Sequence, residues 1–168
     1  MIREANDLLS KGIKHRTWDW MLPFFAGFNH FYFLQENEKA AEFLMEASRR
    51  PSADPMLASI ASKLAFQERR TETSIQFLEE MLQKTDDELT KQRFKKRIEA
   101  LRGILLLEQA VEQYQRRYHD KPHSVELLVA KGMIQNVPQD PYGGKFYLDP
   151  SGSVRSTTER ELMPHRKK

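Results

Sequence analysis

From the start of the chain to Tyr118, apolar side chains return every three or four positions and polar ones fill the intervals, the spacing of helices that bury one face. Ile2, Ala5, Leu8 and Leu9 share one face of a first helix, which Gly12 is expected to stop. Thr17 and Asp19 offer caps to a second helix that tolerates Pro23 in its first turn and carries Phe24, Phe25, Phe28, Phe31, Tyr32 and Phe33. After the polar turn Gln35-Glu36-Asn37-Glu38, Lys39 to Arg50 reads as an amphipathic helix with Ala40, Phe43, Leu44 and Ala47 inward, closed by Pro51 and Pro55. A second hairpin follows: Asp54 as cap, a helix from Met56 to Phe66, a turn at Gln67-Glu68-Arg69-Arg70, and a helix from Thr71 to Lys84 with Ile75, Leu78, Met81 and Leu82 inward. From Asp87 to Tyr118 the pattern continues, either as one long helix or as a pair bent at Gly103, where glycine costs about 1 kcal/mol relative to alanine.

Beyond Tyr118 the pattern changes. Ser124 to Lys131 reads as a short helix with Gly132 just past its end. Pro138 and Pro141 restrict the chain, Gly143 and Gly144 permit positive φ, and Phe146 to Asp149 and Ser153 to Ser156 flank Asp149-Pro150-Ser151-Gly152, a turn sequence that makes them a β-hairpin. Residues 159–168 read as a frayed basic end.

The two hairpins repeat. Small Ala40, large Leu44 and small Ala47 return 34 residues later as Ser74, Leu78 and Met81, while Gly27 maps to Ala61 and Phe31 to Ala65. Helix, turn and helix at this period resemble the tetratricopeptide repeat over residues 17–86, with Phe24 where that family has its leading Trp. The resemblance implies a right-handed superhelical array of antiparallel helical hairpins whose first helices line a concave surface for a peptide or partner helix. It makes Phe25, Asn29, Tyr32 and Phe33, and one period on Ser59, Lys63, Phe66 and Gln67, the candidate partner-binding residues. Asn29 and Lys63 would hydrogen-bond a peptide and the rings would supply apolar contact. Two hairpins make a small groove, so binding is expected to be modest or to depend on homodimerisation.

A second resemblance covers about residues 105–154. Ala110-Val111-Glu112-Gln113-Tyr114, Tyr118, Pro122, Ser124, Leu127-Leu128-Val129, Gly132, Ile134, Pro138 and Asp140-Pro141-Tyr142-Gly143-Gly144 with Phe146 and Tyr147 resemble the globular part of major pseudopilins of type II secretion. That family has a helix, a loop, a short helix, an Asp-Pro-aromatic-Gly turn and a small sheet. The apolar N-terminal helix that assembles pilins has no counterpart here, and Tyr142 stands where Trp is usual. The resemblance implies a borrowed folding module, and a calcium site involving Asp140 and Asp149 with Ser151. Calcium wants six to eight oxygens, and Asp140 equally suits capping the Pro-Tyr-Gly turn.

The expected fold is therefore mostly helical. A leading half-repeat or capping helix occupies 1–15, two hairpins 16–86, and a long helix with a small α+β tail 87–168. Composition narrows the chemistry. At 39% hydrophobic and 30% charged residues the 168-residue chain reads as globular, and its longest apolar stretch, Met21 to Leu34, is too short to span a bilayer. With no cysteine there is neither disulfide nor thiolate metal site, and the compartment stays open between cytoplasm and a periplasm-facing location. A net charge of +3 does not call for nucleic acid, and the basic run Lys91, Arg93, Lys95, Lys96, Arg97 and Arg102 reads as a solvated face because Glu88 and Glu99 share its helix. His119 and His123 are separated by helix-breaking Pro122 and lack further ligands, His30 sits among aromatics, and His15 and His165 read as surface positions, so no metal or cofactor is expected. No nucleophile–base pair or phosphate loop appears. The expectation is a non-enzymatic scaffold that binds a protein or peptide. The alternative is a subunit of a secretion or pilus assembly acting through its tail, with an envelope location and an anchor upstream of Met1. A calcium-regulated module or enzyme is the third class.

Overall fold

The computed structural model describes residues 1–158; the basic end at 159–168, with His165, lies outside the described residues. Among these the chain is mostly helical: α1 (Ile2–His15), α2 (Met21–Asn29) continued by a π-helical turn (His30–Leu34), α3 (Asn37–Arg49), α4 (Pro55–Gln67), α5 (Thr71–Lys84), α6 (Glu88–Tyr118) and α7 (Val125–Ala130), then a two-stranded antiparallel sheet of β1 (Phe146–Leu148) and β2 (Val154–Ser156). The chain forms two compact units, Met1–Phe94 and Lys95–Lys168, with the boundary inside α6.

In the first unit each of α1 to α5 packs on its sequence neighbour. The polar contacts give the directions. Arg3 near the start of α1 lies 4.0 Å from Glu36 before α3, and Arg50 after α3 reaches the Ile13 carbonyl at the end of α1. Asn37 bonds Glu68 at 2.9 Å, and Arg49 bonds Glu80 at 2.9 Å. So α1, α3 and α5 run parallel, and the helices between them return. Chemistry repeats along with direction. Glu46–Arg50 and Glu80–Lys84, one period apart, are both 2.6 Å ion pairs. Asn37 and Thr71 each open a second helix and each keep a buried oxygen with no hydrogen-bond partner.

Small residues set how closely the helices approach. Ala26, Ala40, Ala41, Ala47, Ala58, Ala61 and Ala65 are fully buried, and Leu44, Leu64 and Leu78 fill the space between them. A Cβ on Gly27 would stand 3.0 Å from Leu44 and 3.2 Å from the Ala40 carbonyl. Gly27→Ala should therefore cost about 1–2 kcal/mol, seen as a lower melting temperature by circular dichroism. An unchanged melting temperature would mean that α2 and α3 have slack between them.

Three expectations change. Gly12 does not stop α1, which runs on to His15; it is glycine because Leu22 presses on it, leaving a Cβ only 3.1 Å from Leu22 Cδ1. The aromatic helix is not α-helical throughout, since it widens at His30 and closes on Gln35 in the left-handed region (φ 56°). Arg97 is not part of a solvated face, because it is 3% exposed and burial lowers its pKa to about 10. Lys95, Lys96, Arg93 and Arg102 are exposed.

In the second unit α6 supplies buried Ile98, Leu101, Ile104, Val111 and Tyr114, and α7 and the hairpin add Val125, Leu128, Phe146 and Val154. Gly103 lies inside the unbroken α6, where Phe146 packs on it 3.0 Å from the site of a Cβ. Ser124 caps α7 by accepting from Leu127 N, and Gly132 (φ 69°) follows it. In the hairpin Phe146 faces Ser156 and Leu148 faces Val154, and the turn closes where Gly152 N donates to the Asp149 carbonyl at 2.8 Å.

Candidate interaction surface

Asp19 starts α2 by accepting from Met21 N at 3.1 Å, and Pro23 sits buried in the first turn, where no helical N–H is missed. From there Trp18, Met21, Phe25, Phe28 and Tyr32 recur at intervals of three and four, joined by Phe33. All six are between 43% and 62% exposed. The rings hold one another: Phe28 stacks on Tyr32 with centroids 5.6 Å apart and planes 6° off parallel, and Phe33 stands edge-on to both. Such pairs contribute about 0.5–1.5 kcal/mol beyond area burial. Between Trp18 and Gln35 the only charged or titratable side chains besides Tyr32 are Asp19, committed to the cap, and buried His30.

A polar relay lies under the aromatic helix. Asn29 Nδ2 donates to Asn6 Oδ1 at 2.8 Å, the Asn6 amide meets His30 Nε2 at 3.3 Å, and His30 Nδ1 meets Glu36 at 2.8 Å. The imidazole stacks on Phe43. Hydrogen bonds from Lys39 and then from His30 hold Glu36 below the usual carboxylate range. His30 thus ties α1, the π-turn and α3 together.

Of the residues expected to bind a partner, Phe25, Tyr32 and Phe33 lie on the exposed ring stripe. Asn29 is half-buried and its amide is taken by Asn6. One period on, Ser59, Lys63 and Gln67 are half-buried and Phe66 is only 8% exposed, within the core. Trp18, Met21 and Phe28 belong to the stripe but not to the expected set. Their signal was the three-and-four spacing, obscured by a stretch so rich in rings that no face stands out. The second hairpin has Ser52, Pro55, Ser59, Ser62 and Phe66 one period beyond Trp18, Met21, Phe25, Phe28 and Tyr32.

In the tail the two aspartates are occupied. Asp140, 6% exposed, accepts from Tyr142 N at 2.8 Å, from the Ser156 hydroxyl and from the Thr158 hydroxyl at 2.5 Å, so it caps the Pro-Tyr-Gly turn. Gly144 leaves no room for a Cβ, which would stand 2.6 Å from Thr157 Oγ1 and 2.8 Å from Asp140 Oδ2. Asp149 accepts from Ser151 and Ser153 and pairs with Arg155, and bonds from Ser151 and then Arg155 hold it far below the carboxylate range. These oxygens hold the turn and the hairpin, and among the described residues no cluster of three or more acidic or histidine side chains is placed to hold a metal. Lys96 lies over the Tyr142 ring at 4.8 Å. Among the described residues no helix is long and apolar enough to cross a membrane. Comparison with known protein families, with curated proteins and with solved structures returns no match to this chain.

Proposed function

We propose that the first unit is a tetratricopeptide-like interaction module whose working surface is the aromatic stripe of α2 and its π-turn, and that its partner is an amphipathic helix of another protein. One observation carries the reading: the repeat does not need these rings. The second hairpin has Ser52, Pro55, Ser59 and Ser62 where the first exposes Trp18, Met21, Phe25 and Phe28. Exposed aromatic side chains in a connected cluster are what binding hot spots are made of, and large apolar patches on a protein surface mark interaction sites. The absence of lysine, arginine and glutamate from the stripe favours an apolar helix face over a charged peptide.

The test is selection from a library of helical peptides against the intact chain. Peptides with apolar residues at three-and-four spacing should be enriched. They should lose at least about tenfold in affinity for a Phe25→Ser, Tyr32→Ser, Phe33→Ser variant, in which Phe25→Ser copies Ser59 of α4. Equal binding to both proteins, at equal melting temperature, would sink the idea. Sedimentation at rising concentration separates a foreign helix from a second copy of this chain.

We infer a second reading for the other unit, that of a pseudopilin-like tail serving in a secretion assembly. Its support is the order of elements: a long helix, a short helix, an Asp-capped Pro-Tyr-Gly turn and a hairpin.

A further inference from the structure

The hydrogen bonds under the aromatic helix have a direction. Asn29 Nδ2 donates to Asn6 Oδ1 at 2.8 Å, so the group that Asn6 turns to His30 is its Nδ2, which can only donate. His30 Nε2, 3.3 Å away, is therefore the acceptor, and the single ring proton of the neutral imidazole sits on Nδ1, facing Glu36 at 2.8 Å. Donation runs one way, from Asn29 through Asn6 and His30 to Glu36.

A second ring proton reverses the outer part of this relay. Nε2–H would face the Asn6 NH2, donor against donor, and a half-turn of that amide relieves the conflict by bringing Oδ1 to the ring. Asn6 Nδ2 then meets the Asn29 NH2, so Asn29 must turn as well. Neither turn needs backbone motion, because the last side-chain torsion of asparagine is broad and roughly two-fold. Among the described residues the two amides make no other hydrogen bond that would hold them in one orientation. Asn6 and His30 are 7% and 8% exposed, yet both arrangements satisfy them. The charges facing His30 favour the added proton on balance of contact: Glu36 touches the ring, while Lys39 of α3 at 3.0 Å and Arg3 of α1 at 4.0 Å lie on that same carboxylate. Helix α2 and its π-turn bring no charge of their own besides His30. Glu36 is held below the usual carboxylate range, so it is ionised wherever an imidazole titrates.

The outer end of the relay lies among the rings. Half-buried Asn29 stands four residues after Phe25 and three and four before Tyr32 and Phe33, on their side of the helix. With Nδ2 given to Asn6, the amide has its oxygen left to offer beside them.

We propose that protonation of His30 reverses the Asn6–Asn29 relay and so regulates the aromatic stripe, turning Asn29 from an acceptor into a donor between Phe25 and Phe33. The inference rests on the stripe being the binding surface. Low pH then favours a partner helix with a carboxylate beside its apolar face, and high pH one with a donor there.

The experiment follows the intact ¹⁵N,¹³C-labelled chain by NMR through the titration of the His30 ring. Above the midpoint, NOEs are expected between the Asn6 side-chain NH2 and the His30 ring C–H protons; below it they should be lost, and the Asn29 NH2 signals should move at the same midpoint. In Asn6→Asp, whose carboxylate accepts from both sides, the Asn29 signals should no longer follow His30. Binding is then compared on the two sides of the midpoint for two apolar helical peptides alike except for Glu or Lys at one flanking position. Preference for the Glu peptide should rise at least about threefold at the lower pH, and most of that rise should vanish in Asn29→Ala. Asn6–His30 NOEs that persist through the titration, Asn29 signals that still follow His30 in Asn6→Asp, or an equal rise in Asn29→Ala would overturn the proposal, the last by making the charge of His30 itself the cause. Failure of both peptides to bind at either pH would sink the stripe as a binding surface, and the NOEs, which need no partner, keep that failure apart from a failure of the relay.

Discussion

Arg50→Met should lower the stability of the first unit by about 3–4 kcal/mol, although methionine nearly preserves the volume. The guanidinium is 6% exposed, and its loss leaves the carbonyls of Ile13 and Asp19 without this donor and that of Arg16 with Asp19 N in its place. A buried acceptor stripped of its partner costs about 1–3 kcal/mol, and here two lose their donor and a third loses one of two. Urea denaturation followed by tryptophan fluorescence suits the measurement, since the protein's two tryptophans, Trp18 and Trp20, flank Asp19. Arg50→Lys should recover part of the loss, because an ammonium can reach some of the carbonyls but cannot span all three. A loss under about 1 kcal/mol for Arg50→Met would show that water replaces the guanidinium at no cost, and that the connection between α1 and α2 is held by α1–α2 packing alone.

Asp140→Asn should cost the tail unit about 2–3 kcal/mol, because hydrogen bonds to a charged acceptor are the strong ones and asparagine turns one oxygen into a donor facing donors. The same carboxylate predicts an acid limb. Burial alone raises its pKa; bonds from Ser156, Thr158 and Tyr142 N, with the charge of Lys96, outweigh burial and hold it below the usual range. A carboxyl lowered by folding contributes stability that is fully present above its unfolded pKa, near 4, and is lost as pH falls through the folded value. Hydrogen exchange at Thr157 N, which donates to the Lys145 carbonyl, should therefore lose protection below about pH 4 in the natural chain. Asp149 titrates in the same direction and is present in both proteins, so the difference between them isolates Asp140. If the variant shows the same acid limb as the natural chain, Asp140 is not its source.

How much of this was legible depended on what each residue's neighbours were. Helix α5 starts and ends at Thr71 and Lys84 as its periodicity predicts, and Asp54 and Asp140 cap where their positions say, because capping is decided within a few residues. Features decided across the chain were not readable. Gly12 looks like a stop and is a contact point for Leu22, a residue of another helix. Arg97 sits in a run of exposed bases and is buried, and nothing in its local charge pattern separates it from Lys95 or Lys96. Arg50 stands beside Pro51, so it reads as the frayed end of a helix; only the fold reveals three carbonyls gathered around it. The aromatic stripe was half legible. Its rings were visible, but which of them α3 covers depends on where the helix widens.

That widening carries a further consequence. The first helix of hairpin one, including its π-turn, runs from Met21 to Leu34, whereas its counterpart α4 runs from Pro55 to Gln67, one residue less, yet α3 and α5 still begin 34 residues apart. The extra helical residue is drawn from the turn that follows, which has two residues, 35–36, against three, 68–70, and it sits in the π-helical turn, the wider form that usually occurs as a single bulge in an α-helix. Helix and turn thus trade one residue while the start of the next helix stays where it is. The rings of Tyr32 and Phe33 ride on that same turn. A shift of that boundary alone would re-aim the outward rings against an unaltered core, giving the fold a means to change what it recognises without relearning how to fold.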